Sequence, residues 1–125
     1  MATLKTQLNG ESVVLEVGPA TVLTGMKRTV LRSRAQAEVD DLFSDDSRDS
    51  VAGTALIYVG VFAYPDCLAA TVSAEGLDLD MSLTEFASLP EAFVDAWVLA
   101  VYQENPHWQP GSAATEEEAA EIKKD

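Results

Sequence analysis

Fifteen residues in a row, Val51 to Pro65 (VAGTALIYVGVFAYP), carry no formal charge. This run constrains the chain more than any other feature. Its side chains have to leave water, either as a membrane span or as part of a protein core. A span needs about 20 apolar residues. Pro65 and Asp66 interrupt the run and Gly53 and Gly60 weaken it, so the expectation is a buried core helix from Val51 to about Ala63, and no membrane. Ile57, Tyr58, Val59, Val61 and Phe62 would also suit a strand. Tyr64-Pro65-Asp66 reads as a restart, with Pro65 at the first helical position. That second piece is expected to run to Ala74 and stop at Gly76.

The rest of the chain must cover this run. Asn9-Gly10 is a favoured two-residue hairpin turn, because both positions tolerate positive φ. Val13, Leu15 and Val17 alternate along the second arm, with Leu4 and Leu8 on the first. A two-stranded hairpin is marginal alone, so the segment 3–17 has to pack on helices or on another chain. Gly18-Pro19 ends it, and a helix begins at Pro19 or Thr21 and runs to about Asp40. Val22, Leu23, Met26, Val30 and Leu31 recur at helical spacing there. The stretch Asp40 to Ser50 (DDLFSDDSRDS) reads as a polar loop. Ser82-Leu83-Thr84-Glu85 matches a capping box. After Leu89-Pro90, a longer helix carries the stripe Phe93, Val94, Trp97, Val98, Val101 and Tyr102, and Asn105-Pro106 ends it. The expected fold is α+β and mainly α, an N-terminal β-hairpin on a small bundle of three to five helices within a single domain over residues 1–108. Residues 109–125, with Glu116-Glu117-Glu118 and one large apolar residue, Ile122, read as an acidic flexible tail.

Charge narrows the function classes. With 21 acidic residues against 8 basic ones the net charge is -13. Phosphate recognition needs the opposite balance, so nucleic acid is not the expected partner. Half of the basic residues, Lys27, Arg28, Arg32 and Arg34, fall in the first helix and form the one basic patch. No long apolar run follows Met1, and the single cysteine, Cys67, suits a reducing cytoplasm.

Residues able to do chemistry are sparse. With one His (His107) and one Cys (Cys67), no zinc-ligand spacing exists. The Asp-rich stretch 40–49 lacks the glycine and terminal glutamate of a calcium loop. A Cys67–His107 nucleophilic pair can be drawn, but a small buried Cys and a helix-terminal His is the plainer reading. No catalytic residue, metal or cofactor is expected. Trp108, in Asn105-Pro106-His107-Trp108, reads either as a ring folded back on the core or as an aromatic anchor for a partner.

The order of features carries a resemblance. The hairpin, then VGPATVLTGMKR, then AYPDCLAATVSAEG, then LTEFASLPEAFVDAWVLAVYQENPHW, together spanning residues 1–108, resembles the tail assembly chaperones of long-tailed bacteriophages. The resemblance implies a non-enzymatic protein of the host bacterial cytoplasm, absent from the mature virion. Such a protein binds the hydrophobic tape-measure protein and helps recruit tail-tube subunits. A longer frameshifted form is common in the family, and Lys123-Lys124 is where a slippery codon run would lie. Client contact is expected from Phe93, Trp97, Val101 and Trp108, unless those residues form the core. Self-association is expected from Lys27 and Arg28 meeting acidic surfaces of sister subunits. The alternatives are an acidic mimic of nucleic acid that inhibits a DNA-binding enzyme, and a structural tail-completion or connector subunit.

Overall fold

The computed structural model describes residues 1–43 and 50–110. Strands β1 (Ala2–Leu8) and β2 (Glu11–Val17) form the expected hairpin, with Leu4 opposite Leu15 and Thr6 opposite Val13. Asn9 and Gly10 both have positive φ, 52° and 85°, as a type I′ turn requires. Alternation then sorts the side chains: Val13, Leu15 and Val17 are fully buried, while Thr3, Lys5 and Gln7 on β1 face water.

The hairpin is not left as two strands. Thr71–Glu75 forms β3, antiparallel to β2, so the sheet order is β1-β2-β3. The expectation of a helix continuing to Ala74 is therefore corrected. Helix α3 (Ala63–Ala70) stops four residues earlier. Thr71 and Val72 are β-branched, and the open edge of β2 supplies backbone partners that a helix end lacks. Gly76 closes this strand at φ 84°, and a Cβ there would lie 2.5 Å from the Ser12 carbonyl oxygen.

Helix α1 (Val22–Leu42) starts at Thr21, whose side chain and that of Thr24 cap each other's backbone amides. It runs through Asp40, Asp41 and Leu42, so the loop expected from Asp40 begins only after α1; residues 44–49 lie outside the described part. Helix α2 (Val51–Val61) is capped by Ser50 and gives way to α3 at Phe62, whose φ of -112° and ψ of -76° distort the right-handed helical turn. Pro65 sits two positions inside α3 instead of at its start. It has no amide hydrogen to return to the Val61 carbonyl, and Arg32 Nε of α1 donates there at 3.0 Å.

Helix α4 (Leu83–Ala87) has the expected capping box, and Glu38 of α1 adds to it by accepting from the Leu83 amide at 2.8 Å and the Thr84 hydroxyl at 2.7 Å. Helix α5 (Glu91–Glu104) begins after Pro90 and ends at Asn105, followed by a 3-10 turn, Pro106–Trp108. The result is an α+β fold, mainly helical, in which α1 packs on α3 and α2 while α5 packs on β1 and α3.

A chain of rings joins these layers. Tyr64 meets Phe86 edge-on at 5.7 Å, Phe86 meets Trp97 at 5.7 Å, and Trp97 meets Phe93 at 6.0 Å. Every polar atom placed among them has a partner. Tyr64 donates its hydroxyl to the Met81 carbonyl, and Trp97 Nε1 donates to Thr71 Oγ1 at 2.8 Å. Asn105 accepts from the Ala20 amide at 2.6 Å and donates to the carbonyls of Gly18 and Val101, tying the hairpin exit to the end of α5. Buried polar groups need such partners, and here they also set the register between elements distant in sequence.

Candidate protein-interaction surface

The residues expected to touch a client lie inside. Trp97 and Val101 are fully buried, and Phe93 and Trp108 nearly so, at 4% and 7% exposure. The stripe along α5 is the core face of that helix, so the client role given to Phe93, Trp97, Val101 and Trp108 is withdrawn in favour of the core alternative. Trp108 folds back beneath the guanidinium of Arg28, 4.5 Å from ring centre to the guanidinium carbon.

The two basic residues chosen for self-association separate. Lys27 is exposed, whereas Arg28 turns inward and donates Nε to Asp66 Oδ1 at 2.5 Å. Asp66 has no solvent exposure, and its second oxygen accepts from Tyr102 at 2.6 Å. Burial pushes the Asp66 carboxyl above its ordinary range, opposed by the Tyr102 and Arg28 hydrogen bonds. Tyr102 is held up as well, by burial first and then by the neighbouring carboxylate. A charge so enclosed and so fully paired is an internal bracket between α1, α3 and α5, and Arg28 cannot leave it to meet a sister subunit without stranding Asp66.

The reactive groups are similarly placed. Burial, followed by Asp66, raises the Cys67 thiol well above its usual value, so it stays protonated, while His107 is exposed on the 3-10 turn. Among the described residues no group of three or more His, Cys, Asp and Glu gathers as metal ligands would.

Several large apolar side chains are left in water. Helix α2, expected to be a core helix, buries only Gly53 and Gly60 fully. Gly60 allows the close approach, since a Cβ there would sit 3.1 Å from that of Ala35 and 3.2 Å from Leu83 Cδ2. With the glycines inward, Leu56, Ile57 and Val59 are only half-buried against the core, while Val51 is 89% exposed and Tyr58 64%. The Tyr58 and Phe62 rings lie 5.9 Å apart, and with Ile57 and Val61 they border a shallow apolar depression of about 160 Å³. The run Val51–Ala70, 20 residues of mean hydropathy 1.5, is long and apolar enough to cross a membrane, a property core helices share; in this fold its second part, Tyr64 to Ala70, is wholly interior.

Helix α1 also turns apolar side chains to solvent. Of the apolar residues spaced along it only Leu31 is buried among Val22, Leu23, Met26, Val30 and Leu31; the other four are 59% to 84% exposed. The spacing was a true helical signal on the face away from the core. Contiguous apolar surface of this kind marks interaction sites on folded proteins. Between α2, α4 and α5 runs a groove of about 280 Å³, lined by Val59, Phe86, Leu89 and Val94 with Glu91 and Asp95 beside them. Compared with the known protein families, the curated proteins and the solved structures, the chain matches none.

Proposed function

We propose that this chain is a non-catalytic tail assembly chaperone that binds apolar helical segments of a tape-measure protein and helps recruit tail-tube subunits in the cytoplasm of a host bacterium, without entering the mature virion. The observation that carries the reading is the outer face of α2, where Val51, Tyr58 and the rim around Ile57, Val61 and Phe62 meet solvent while the glycines pack inward. An amphipathic client helix laid on that face removes apolar surface from both partners, at roughly 25 cal/mol per Å². The net charge of -13 keeps the loaded complex dispersed. The resemblance over residues 1–108 supplies the identity of the client.

The test is co-expression with tape-measure segments, followed by capture on the tagged chain. The reading expects stoichiometric recovery of an apolar helical segment, its loss with Tyr58→Asp, and absence of the chain from purified particles by mass spectrometry. Recovery of a DNA-binding enzyme instead, or a full complement of the chain in virions, rejects it.

A further inference from the structure

The described chain leaves the fold at Gln109 and Pro110, just after Trp108, whose ring centre lies 4.5 Å from the Arg28 guanidinium carbon of α1. The sequence that follows, GSAATEEEAAEIKKD, sets Glu116, Glu117, Glu118, Glu121 and Asp125 against Lys123 and Lys124, with Ile122 as its one large apolar residue. The exit borders two surfaces. Toward α5, Gln109 lines a shallow depression with Asp95, Val98, Leu99, Tyr102 and Gln103, where the Asp95 carboxylate repels an acidic segment. Toward α1 the sign is opposite. From Val17 to Ala37 the sequence has no acidic residue, while Lys27, Arg28, Arg32 and Arg34 all fall there. Arg28 and Arg32 are engaged within the fold, on Asp66 and on the Val61 carbonyl. Lys27 and Arg34 are exposed, and among the described residues no carboxylate forms an ion pair with either. Leu23, 75% exposed, and Val30, 59% exposed, share their face at helical spacing.

We propose that the acidic tail, residues 111–125, docks on the outer face of α1 of its own chain, with Glu116 to Glu118 meeting Lys27 and Arg34, and Ile122 covering Leu23 or Val30. Charge complementarity and the place of the exit both select this occupant. Residues 109–115 span up to about 23 Å when extended, and a helix with its side chains is about 10–12 Å across, so the acidic run reaches the far side of α1. Single exposed ion pairs are weak, but so short a tether holds the two sides at roughly millimolar effective concentration. The tail is thus a tethered cover for apolar surface that the fold leaves open, and a partner reaches this face of α1 only by displacing it. The contact uses neither Tyr58 nor the outer face of α2, so it does not depend on the proposed client binding.

A nitroxide on Ala120→Cys in the intact chain tests it, because Cys67 is wholly buried and stays unlabelled. Amide signals of the isotope-enriched protein are compared with the nitroxide oxidised and reduced, at micromolar concentration. The expected result is loss of signal along residues 22–34 of α1, with Val98 to Gln103 of α5 and the β1–β2 turn unaffected. High salt returns the α1 signals, and so does Lys27→Glu combined with Arg34→Glu. Adding Glu117→Lys and Glu118→Lys to that variant brings the loss back, because the reversed charges are again opposite, while the circular dichroism stays that of the unsubstituted chain. In an equal mixture of nitroxide-bearing chain without isotope and enriched chain without nitroxide, no loss is expected, since the contact lies within one chain. Signals of α1 that stay intact in the nitroxide-bearing chain, or a loss centred on α5, overturn the proposal. So does a loss as deep in the mixture as in the single chain, which puts the tail on another copy, or a loss indifferent to charge reversal.

Discussion

Arg28 of α1 and Asp66 of α3 meet through a single Nε to Oδ1 contact at 2.5 Å, with the carboxylate wholly cut off from solvent. The pair is 38 residues apart in sequence and sets how α1 lies on α3. Tyr102 completes the carboxylate from α5, and Trp108 covers the guanidinium.

Removing one member of this pair leaves an uncompensated charge. Arg28→Met is expected to lower the unfolding free energy by about 3 kcal/mol. Urea denaturation followed by Trp fluorescence measures it. A loss below about 1 kcal/mol, the range of exposed pairs, would show that Asp66 finds water or another partner.

The same carboxylate leaves a signature in pH. Burial raises its folded-state pKa above the ordinary 3.8, so the folded chain keeps that proton at a pH where the unfolded chain has lost it. The contribution of this group is full below the unfolded pKa and declines as pH rises through the raised folded value. Asp66→Asn abolishes the decline. The stability difference between wild type and variant should therefore shrink as pH climbs from 3.8 and level off above the folded value. A difference that widens over that window contradicts the assignment.

Asn105 links three backbone groups that have no other reason to meet. Asn105→Leu keeps the branched shape at Cγ without the polar atoms and strands the Ala20 amide and the Gly18 carbonyl. A loss of about 3 kcal/mol is expected from the orphaned groups. Hydrogen exchange should localise the effect, with faster exchange at Ala20 and at the end of α5.

Gly76 carries both a positive φ and a Cβ direction aimed at the Ser12 carbonyl oxygen 2.5 Å away. Gly76→Ala is expected to cost more than about 2 kcal/mol. Gly25→Ala, where nothing lies within 4 Å, serves as a control that should be neutral or slightly stabilising by helix propensity. Equal effects at the two sites would discount the close approach.

Aromatic substitutions separate core from surface. Trp97→Ala, at a fully buried ring, should cost about 3–5 kcal/mol of stability. Tyr58→Asp should leave the melting temperature within a few degrees while abolishing client capture, since the ring is 64% exposed. A Tyr58→Asp variant that unfolds would assign the outer face of α2 to the fold.

Much of the chain's punctuation was legible because it is local chemistry. Asn9-Gly10 announced the hairpin through positive φ, Ser82 and Glu85 announced α4 through reciprocal capping, and Pro90 and Asn105-Pro106 marked the bounds of α5. Strand β3 was not legible, because Thr71–Glu75 becomes a strand only where β2 presents an unpaired edge. The candidate surface was the least legible part. Phe93, Trp97, Val101 and Trp108, the client-contact residues that the sequence suggests, are core, whereas Val51 and Tyr58 of the expected core helix are exposed.

The amino-acid order by itself determined the hairpin turn, the cap that starts α4, the bounds of α5, and which residues share a face, since caps, turns and periodicity act over a few residues; the end of α3 at Ala70 did not follow from it. Only the tertiary structure decided which apolar face turns inward. Gly60 lets α2 approach Ala35 on its small-residue side, and that contact directs Tyr58 and Val51 to solvent. Periodicity is symmetric with respect to inside and outside. The choice between the two faces belongs to the packing partner, and no single helix encodes it alone.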